Sequence, residues 1–377
     1  MQHFRKQAVV LLAGAWVLAA VPPWVGAQEI PVMAISSLTG ATAYAGVPEM
    51  NGIRLAIDQA NDDGYLGKAK IKLIEGDYAA EKPQAISLAG QAIQRHKVVL
   101  ALGPTASPEA VAVSYIFNEG KTPMLSFGTS NAITANSPWA FKIQQSGTES
   151  VPLLARYALE KTPVRRMAMI YDSGNDGLVE YKNVFAKTFK DGGGTVVAEE
   201  VVSAKEANFQ PLFTKLMAMN LDGIFISNYA EQAANIMVQF RRAGMPQSVR
   251  FFGTVGVMTP RLVEIGGQTI EGAQGIGEFV PGLDRPLNKA FESAYLERYK
   301  TTPDSFAALG YSLGLVALKA IKDASPDPTP EKVRVALTNL RDVPVVVGNG
   351  VWNHKDRNGN YGAVVLEVKA GKFIAAP

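Results

Sequence analysis

Val98-Val99-Leu100-Ala101-Leu102-Gly103-Pro104-Thr105-Ala106-Ser107-Pro108-Glu109 is the stretch that decides the fold. Five apolar residues closed off by Gly-Pro suit a short strand buried on both faces. Ser107 then stands at an N-cap position with Pro108 in the first turn, so a helix is predicted over 108–118. A buried strand leading straight into a helix is half of a βα unit, and the same unit recurs outward in both directions. Strands are predicted over 30–36, 70–75 and 123–126, with helices over 49–61 and 81–95. A second series has strands over 167–171, 195–201, 223–227 and 250–252 and helices over 178–190, 209–219 and 230–243. The fold class is therefore α/β, with two open, mainly parallel sheets in tandem. A strand over 275–280 and helices over 286–299, 306–323 and 331–340 must add to these units. The end, 345–374, reads as antiparallel β with Asn358-Gly359 at a hairpin turn. Asp356, Asn358 and Asn360 do not make a calcium loop, because the required glycine is displaced and no glutamate closes the loop.

The amino terminus reads as an export signal. Arg5 and Lys6 precede an uncharged apolar run from Ala8 to Val21, which Pro22, Pro23 and Trp24 break before Val25-Gly26-Ala27 supplies small residues for cleavage after Ala27. The run is shorter than the ~20 residues that span a bilayer. A periplasmic protein starting at Gln28 is expected, with residues 1–27 as its signal peptide. The chain contains no cysteine, which removes disulfides, thiolate metal sites and cysteine nucleophiles. A chain of 377 residues is long for one core, so two domains are expected. Without Arg5 and Lys6 the chain carries 35 basic and 34 acidic residues. They are scattered, with Arg165-Arg166 and Arg241-Arg242 as the closest pairs, so no nucleic-acid partner is expected.

Catalysis finds little to work with. His96 and His354 lack the context of a nucleophile elbow, a zinc site or a dinucleotide fingerprint, and Gly192-Gly193-Gly194 lies between a helix and a strand, the reverse of a phosphate-binding order. No enzyme, metal or cofactor is expected. In open α/β sheets ligands gather at the carboxyl ends of the strands. Two loops there, Gly103 to Glu109 and Phe127-Gly128-Thr129-Ser130-Asn131, carry hydroxyl and backbone donors for one anionic group. Ser107 can equally cap its own helix, and Thr129 and Ser130 can tie down their own turn.

Ser37-Leu38-Thr39-Gly40, Tyr44-Ala45-Gly46, Gly52 to Ile57 with Asn61, Gly103-Pro104 with Ser107, Ser126 to Asn131, and Ala168 to Asp172 leading to Gly177 resemble, in order and spacing, the leucine/isoleucine/valine-binding protein family. The resemblance runs over the whole mature chain. It implies a type I periplasmic binding fold, two Rossmann-like lobes joined by three crossover strands and closing on ligand like a hinge. Residues 28–145 plus 277–344 would form one lobe and 146–276 plus 345–377 the other. It also implies that Ser107, Gly128 and Ser130 hold the ligand's carboxylate, that Tyr229 closes over it from the second lobe, and that Phe306 lines an apolar pocket. Asp176 falls where amino-acid binders of the family often carry a tyrosine. Tyr44, Tyr78, Phe127 and Phe306 can line an apolar or aromatic slot, and each can also be a core residue.

The departure from the family lies in Phe252-Gly253-Thr254-Val255-Gly256. Amino-acid binders place an acid there to pair the ligand's ammonium, and here the position is Val255. A buried ammonium without a partner is costly, so an aromatic or aliphatic acid is expected as cargo rather than an amino acid. Asp176 leaves an opening for a branched-chain or other amino acid, or for a ligand hydroxyl. Partners implied are a small carboxylate and the membrane permease of an ABC importer, with the binding protein a monomer. A ligand-sensing receptor module with the same clamp is the alternative from another class.

Overall fold

Apolar runs too short for helices form the strands, and the segments between them bury one face each. The computed structural model describes residues 28–203 and 205–377, so the export signal expected over 1–27 lies outside the described residues. In chain order the first lobe opens with β1 (Glu29–Ser36), α1 (Ala43–Asp62), β2 (Lys70–Asp77), α2 (Lys82–Gln94), β3 (Leu100–Leu102), α3 (Ser107–Glu119), β4 (Met124–Ser126), α4 (Ala132–Ala135) and β5 (Ala140–Lys142). The second lobe follows with α5 (Gly147–Lys161), β6 (Arg166–Tyr171), α6 (Asp176–Asp191), β7 (Thr195–Val201), α7 (Gln210–Met217), β8 (Gly223–Ser227), α8 (Ala230–Arg242), β9 (Arg250–Gly253), α9 (Pro260–Gly266) and β10 (Gln274–Gly277). The chain then runs through α10 (Pro286–Tyr299), α11 (Ser305–Asp323), α12 (Pro330–Asn339), β11 (Val343–Pro344), β12 (Val351–Lys355), β13 (Asn358–Asn360), β14 (Val364–Lys369) and β15 (Lys372–Ala375).

Among the described residues, one sheet has the order β2-β1-β3-β4-β5 and is parallel throughout. A second runs β15-β14-β10-β9-β8-β6-β7, parallel from β10 to β7 and antiparallel where β14 and β15 join its edge, and β11-β12-β13 make a small antiparallel third. Helices cover both faces of the two larger sheets, so the central strands read as continuous apolar runs. Helices α10, α11 and α12 return to the first lobe, where Phe291, Leu313, Val316 and Leu337 share a core with Ile53, Leu100 and Leu102. Helix α1 begins at Ala43, six residues before the start the sequence suggested, with Pro48 inside it. Its added first turn carries Tyr44 to the inter-lobe cleft.

Two terminal features differ from the sequence reading. The expected second-lobe run 345–377 divides: Val345, Val346, Val347, Trp352 and Tyr361 pack in the first-lobe core, and only β14 and β15 join the second sheet. The Trp352 ring accounts for this, since it is wholly buried there and its Nε1 donates to Ile143 O at 3.0 Å. The third crossover therefore lies near 361–363. The hairpin turn is Asp356-Arg357, both in the left-handed region with φ of 51° and 66°, while Asn358-Gly359 lies within β13. Gly359 pairs with Gln145 across the lobe, and a Cβ there would overlap the carbonyl oxygen of Ile143. That glycine serves close approach rather than turn geometry.

Candidate functional site

The carboxyl edge of the first sheet faces the cleft through the loops after β3 and β4. Ala106, not Ser107, occupies the N-cap of α3, and no side chain caps that helix. Ser107 is its first residue, and its buried Oγ accepts instead from Thr129 N at 3.0 Å and Ser130 N at 3.2 Å. The amides of the second loop thus converge on the hydroxyl of the first. Behind them Lys142, fully buried at the end of β5, donates from Nζ to Thr129 O at 2.5 Å and Ser130 O at 3.3 Å. Burial pulls its pKa down to about 8, with the Glu180 carboxylate opposing that shift. The ammonium behind Thr129 O polarises the Thr129–Ser130 peptide unit, whose N–H points at Ser107, so the loop favours negative charge in front of it.

The second lobe covers this edge closely. Asn131 donates from N and Nδ2 to the Glu180 carboxylate on α6 at 3.1 and 2.8 Å. Gly177, in the first turn of α6, lies against the two first-lobe hydroxyls. A Cβ on it would overlap Thr129 Oγ1 and stand 2.6 Å from Ser107 Oγ. Asn175 caps α6, accepting at Oδ1 from Gly177 N at 2.9 Å, and its Nδ2 donates to Tyr229 Oη at 3.2 Å. Burial raises the Tyr229 phenol above its ordinary pKa, so it stays protonated. Tyr44 reaches the same corner from the first lobe, edge-on to Phe306 with ring centroids 5.8 Å apart.

A cavity of about 90 Å³ remains between the lobes. The polar or small residues Ser107, Gly128 and Thr129, the rings of Tyr44, Phe127, Tyr229 and Phe306, and Val255 all line it. Three residues singled out in the sequence, Ser130, Asp176 and Tyr78, do not. Ser130 faces away, its Oγ accepting from Ala132 N at 3.2 Å and so fixing its own turn. Asp176 is exposed on the first turn of α6, because the cap is one residue earlier and the inward position belongs to Asn175. Tyr78 is buried in the first-lobe core, where its hydroxyl oxygen accepts from Ala106 N at 3.3 Å, outside the cavity wall. Asn175, Gln144, Asn228 and Thr254 line the cavity without having been anticipated. Only Asn175 left a trace, as a preferred N-cap type ahead of Asp-Gly.

The family model described as periplasmic binding protein matches residues 29–372, nearly the whole described chain. The chain belongs to the periplasmic binding protein family. It is similar to the leucine-specific-binding protein of Salmonella typhimurium, 26% identical over 355 residues that cover 93% of this chain and 94% of that one. The Leu/Ile/Val-binding protein of Escherichia coli K12 is also 26% identical, over 87% and 88% of the two chains. Among solved structures, a leucine-binding protein from Thermotoga maritima superposes with a TM-score of 0.86 at 26% identity, covering 92% of this chain and 98% of that one. A solute-binding protein of R. palustris in complex with benzoate gives 0.83 at 19% identity over 92% and 95% of the chains, a likeness of fold. The architecture is thus the two-lobed type I periplasmic binding fold, and the protein is a solute-binding component of the ABC importer kind, not an enzyme.

In this periplasmic binding protein the crossovers meet at one buried carboxyl. Glu278, just after β10, accepts from Gln144 Nε2 and Gln145 Nε2, each at 3.2 Å, and lies beside Tyr361 of the third crossover. Burial pushes its pKa up to about 7, the surrounding hydrogen bonds only partly opposing it. Because the folded pKa exceeds the unfolded one, the folded state holds the extra proton. The stability that Glu278 contributes is then full below about pH 4.5, is lost as pH rises to about 7 and changes no further above. The expected loss is roughly 3 kcal/mol, at 1.36 kcal/mol per pKa unit. Urea unfolding at pH 5, 6, 7 and 8 checks it: Glu278→Gln should make the slope shallower, Asp304 and Glu49 keeping a part of it through their own raised pKa values, and an unchanged slope would contradict the assignment.

Proposed function

We propose that the protein, exported to the periplasm with cleavage after Ala27, carries a small carboxylate without an ammonium group to the permease of an ABC importer, as a monomer. The observation that carries this reading is the cavity lining, which among the described residues includes no acidic and no basic side chain. Two carboxyls lie behind the wall, Glu49 accepting from Thr105 Oγ1 at 2.8 Å and Glu278 from Gln144 Nε2 at 3.2 Å, and burial raises the pKa of both, which disfavours their charged forms. An α-ammonium would enter this cavity unpaired, at a cost of several kcal/mol. A carboxylate, in contrast, meets the hydroxyls of Ser107 and Thr129 beside Gly128, with the Thr129 and Ser130 amides holding Ser107 Oγ and Lys142 behind them. Tyr229 and Asn175 close over it, and Tyr44, Phe127 and Phe306 pack on the apolar remainder, next to Val255.

The names of the curated relatives favour a second reading, a branched-chain amino acid as cargo, at 26% identity over most of each chain. The two readings differ in one group of the ligand. A thermal-shift screen of residues 28–377 against leucine, isoleucine and valine, and against benzoates, phenylpropenoates and aliphatic acids, separates them. Ligand at 100 times its dissociation constant adds about 2.7 kcal/mol, several degrees in midpoint. Stabilisation by acids alone supports the first reading; stabilisation by the amino acids alone replaces it with the second.

A further inference from the structure

Thr254 follows β9 on the second-lobe wall of the cavity, beside Val255. Its side chain is fully buried, and its Oγ1 has no hydrogen-bond partner among the described residues. Thr42 Oγ1 and Tyr181 Oη in the same lining are also unpartnered, while two of its amide side chains are engaged by protein. Asn228 donates to Val202 O at 3.0 Å and accepts from Tyr229 N at 2.7 Å, and Asn175 holds Tyr229 Oη and Gly177 N. Buried polar atoms in folded proteins are almost always bonded, and one left open in a cavity wall points to a partner that arrives with the ligand. Gly256 leaves the space beside it open, since a Cβ there would meet only Thr254 Oγ1, at 3.9 Å.

We propose that Thr254 is a specificity-determining residue that hydrogen-bonds an oxygen on the carbon next to the ligand's carboxyl, so that the cargo is a 2-hydroxy or 2-oxo acid. This rests on the reading that the cargo lacks an ammonium group. A threonine hydroxyl both donates and accepts, so it matches a hydroxyl or a keto oxygen, and it carries no charge to pair an ammonium. The cavity keeps the two ends of the ligand close. Thr254, Ser107 and Thr129 line the same small cavity, so a group that reaches Thr254 while the carboxylate sits at Ser107 and Thr129 lies near that carboxylate.

The test is calorimetric titration of residues 28–377 with two ligand series that differ only at carbon 2. One comprises 4-methylvalerate, 2-hydroxy-4-methylvalerate, 4-methyl-2-oxovalerate and leucine. The other comprises 3-phenylpropionate, 3-phenyllactate, phenylpyruvate and phenylalanine. In at least one series the hydroxy or oxo acid should bind about tenfold or more tighter than the unsubstituted acid, the worth of one neutral hydrogen bond. Thr254→Val should bring that ratio within about threefold, and Thr254→Ser, which keeps the hydroxyl, should restore it. Equal binding of oxygenated and unsubstituted acids, a preference that survives Thr254→Val, or no binding by any oxygenated acid would overturn the assignment while leaving the amino-free cargo standing. An amino acid as the tightest ligand of either series would overturn both.

Discussion

Alanine at position 177 should hold the lobes apart and weaken cargo binding by about 100-fold, close to 2.7 kcal/mol. The methyl group it adds would overlap Thr129 Oγ1 and come within 2.6 Å of Ser107 Oγ, both on the opposite lobe. Neither atom belongs to the helix that carries residue 177, so the conflict exists only when the lobes meet. Opening removes it at no cost to either core, and the ligand must then supply the energy of closure from its own binding. The unfolding midpoint of the ligand-free variant should stay within about two degrees of the parent, as for other substitutions that leave both cores intact. Calorimetry with a ligand found by the screen reads the affinity. An unchanged dissociation constant would mean that the ligand-bound form does not bring α6 this close to Ser107 and Thr129.

Val255→Glu should reverse the ligand preference. Val255 is buried in the same core as Phe252, Ile276 and Val365 and lines the cavity, so a carboxylate there enters an enclosed space lined by no charged side chain. In the free protein its burial is unfavourable. With leucine bound it gains an ammonium partner, and a hydrogen bond to a charged group is worth about 1.5–3 kcal/mol, or roughly 10- to 100-fold. Leucine should therefore gain that factor relative to 4-methylvalerate, whose own charge the new carboxylate repels. Parallel titrations of variant and parent measure it. No relative gain for leucine would place residue 255 away from carbon 2 of the ligand and remove the reason for reading the valine as a mark of amino-free cargo.

Whatever depends on neighbours in sequence was legible from the start. The run Val98 to Leu102 and its Gly-Pro stop locate β3 and the cleft edge, and the alternation of apolar runs with amphipathic segments gives both parallel sheets. Asn175 and Asp176 mark where that reading weakens. One residue of phase at a helix start decides which side chain faces the cavity and which faces water, and both types are common at caps. Gly359 marks a second limit: Asn-Gly is a turn signal locally, and the demand that overrides it comes from Ile143, more than 200 positions away. Trp352 is of the same kind, drawn into the first lobe by a carbonyl on a different crossover. Lys142 was invisible as part of the site, because its role depends on β5, three residues long, running beneath a loop it follows by a dozen positions.

The comparison that tests the central claim most directly is a calorimetric titration of residues 28–377 with leucine and phenylalanine against their amino-free counterparts, 4-methylvalerate and 3-phenylpropionate. Within each pair only the ammonium differs, and the cavity offers it no charged partner. The amino-free acid should bind at least about tenfold tighter in whichever pair binds, since an unpaired buried charge costs more than about 1.4 kcal/mol. An amino acid that binds more tightly than its own deaminated counterpart would contradict it.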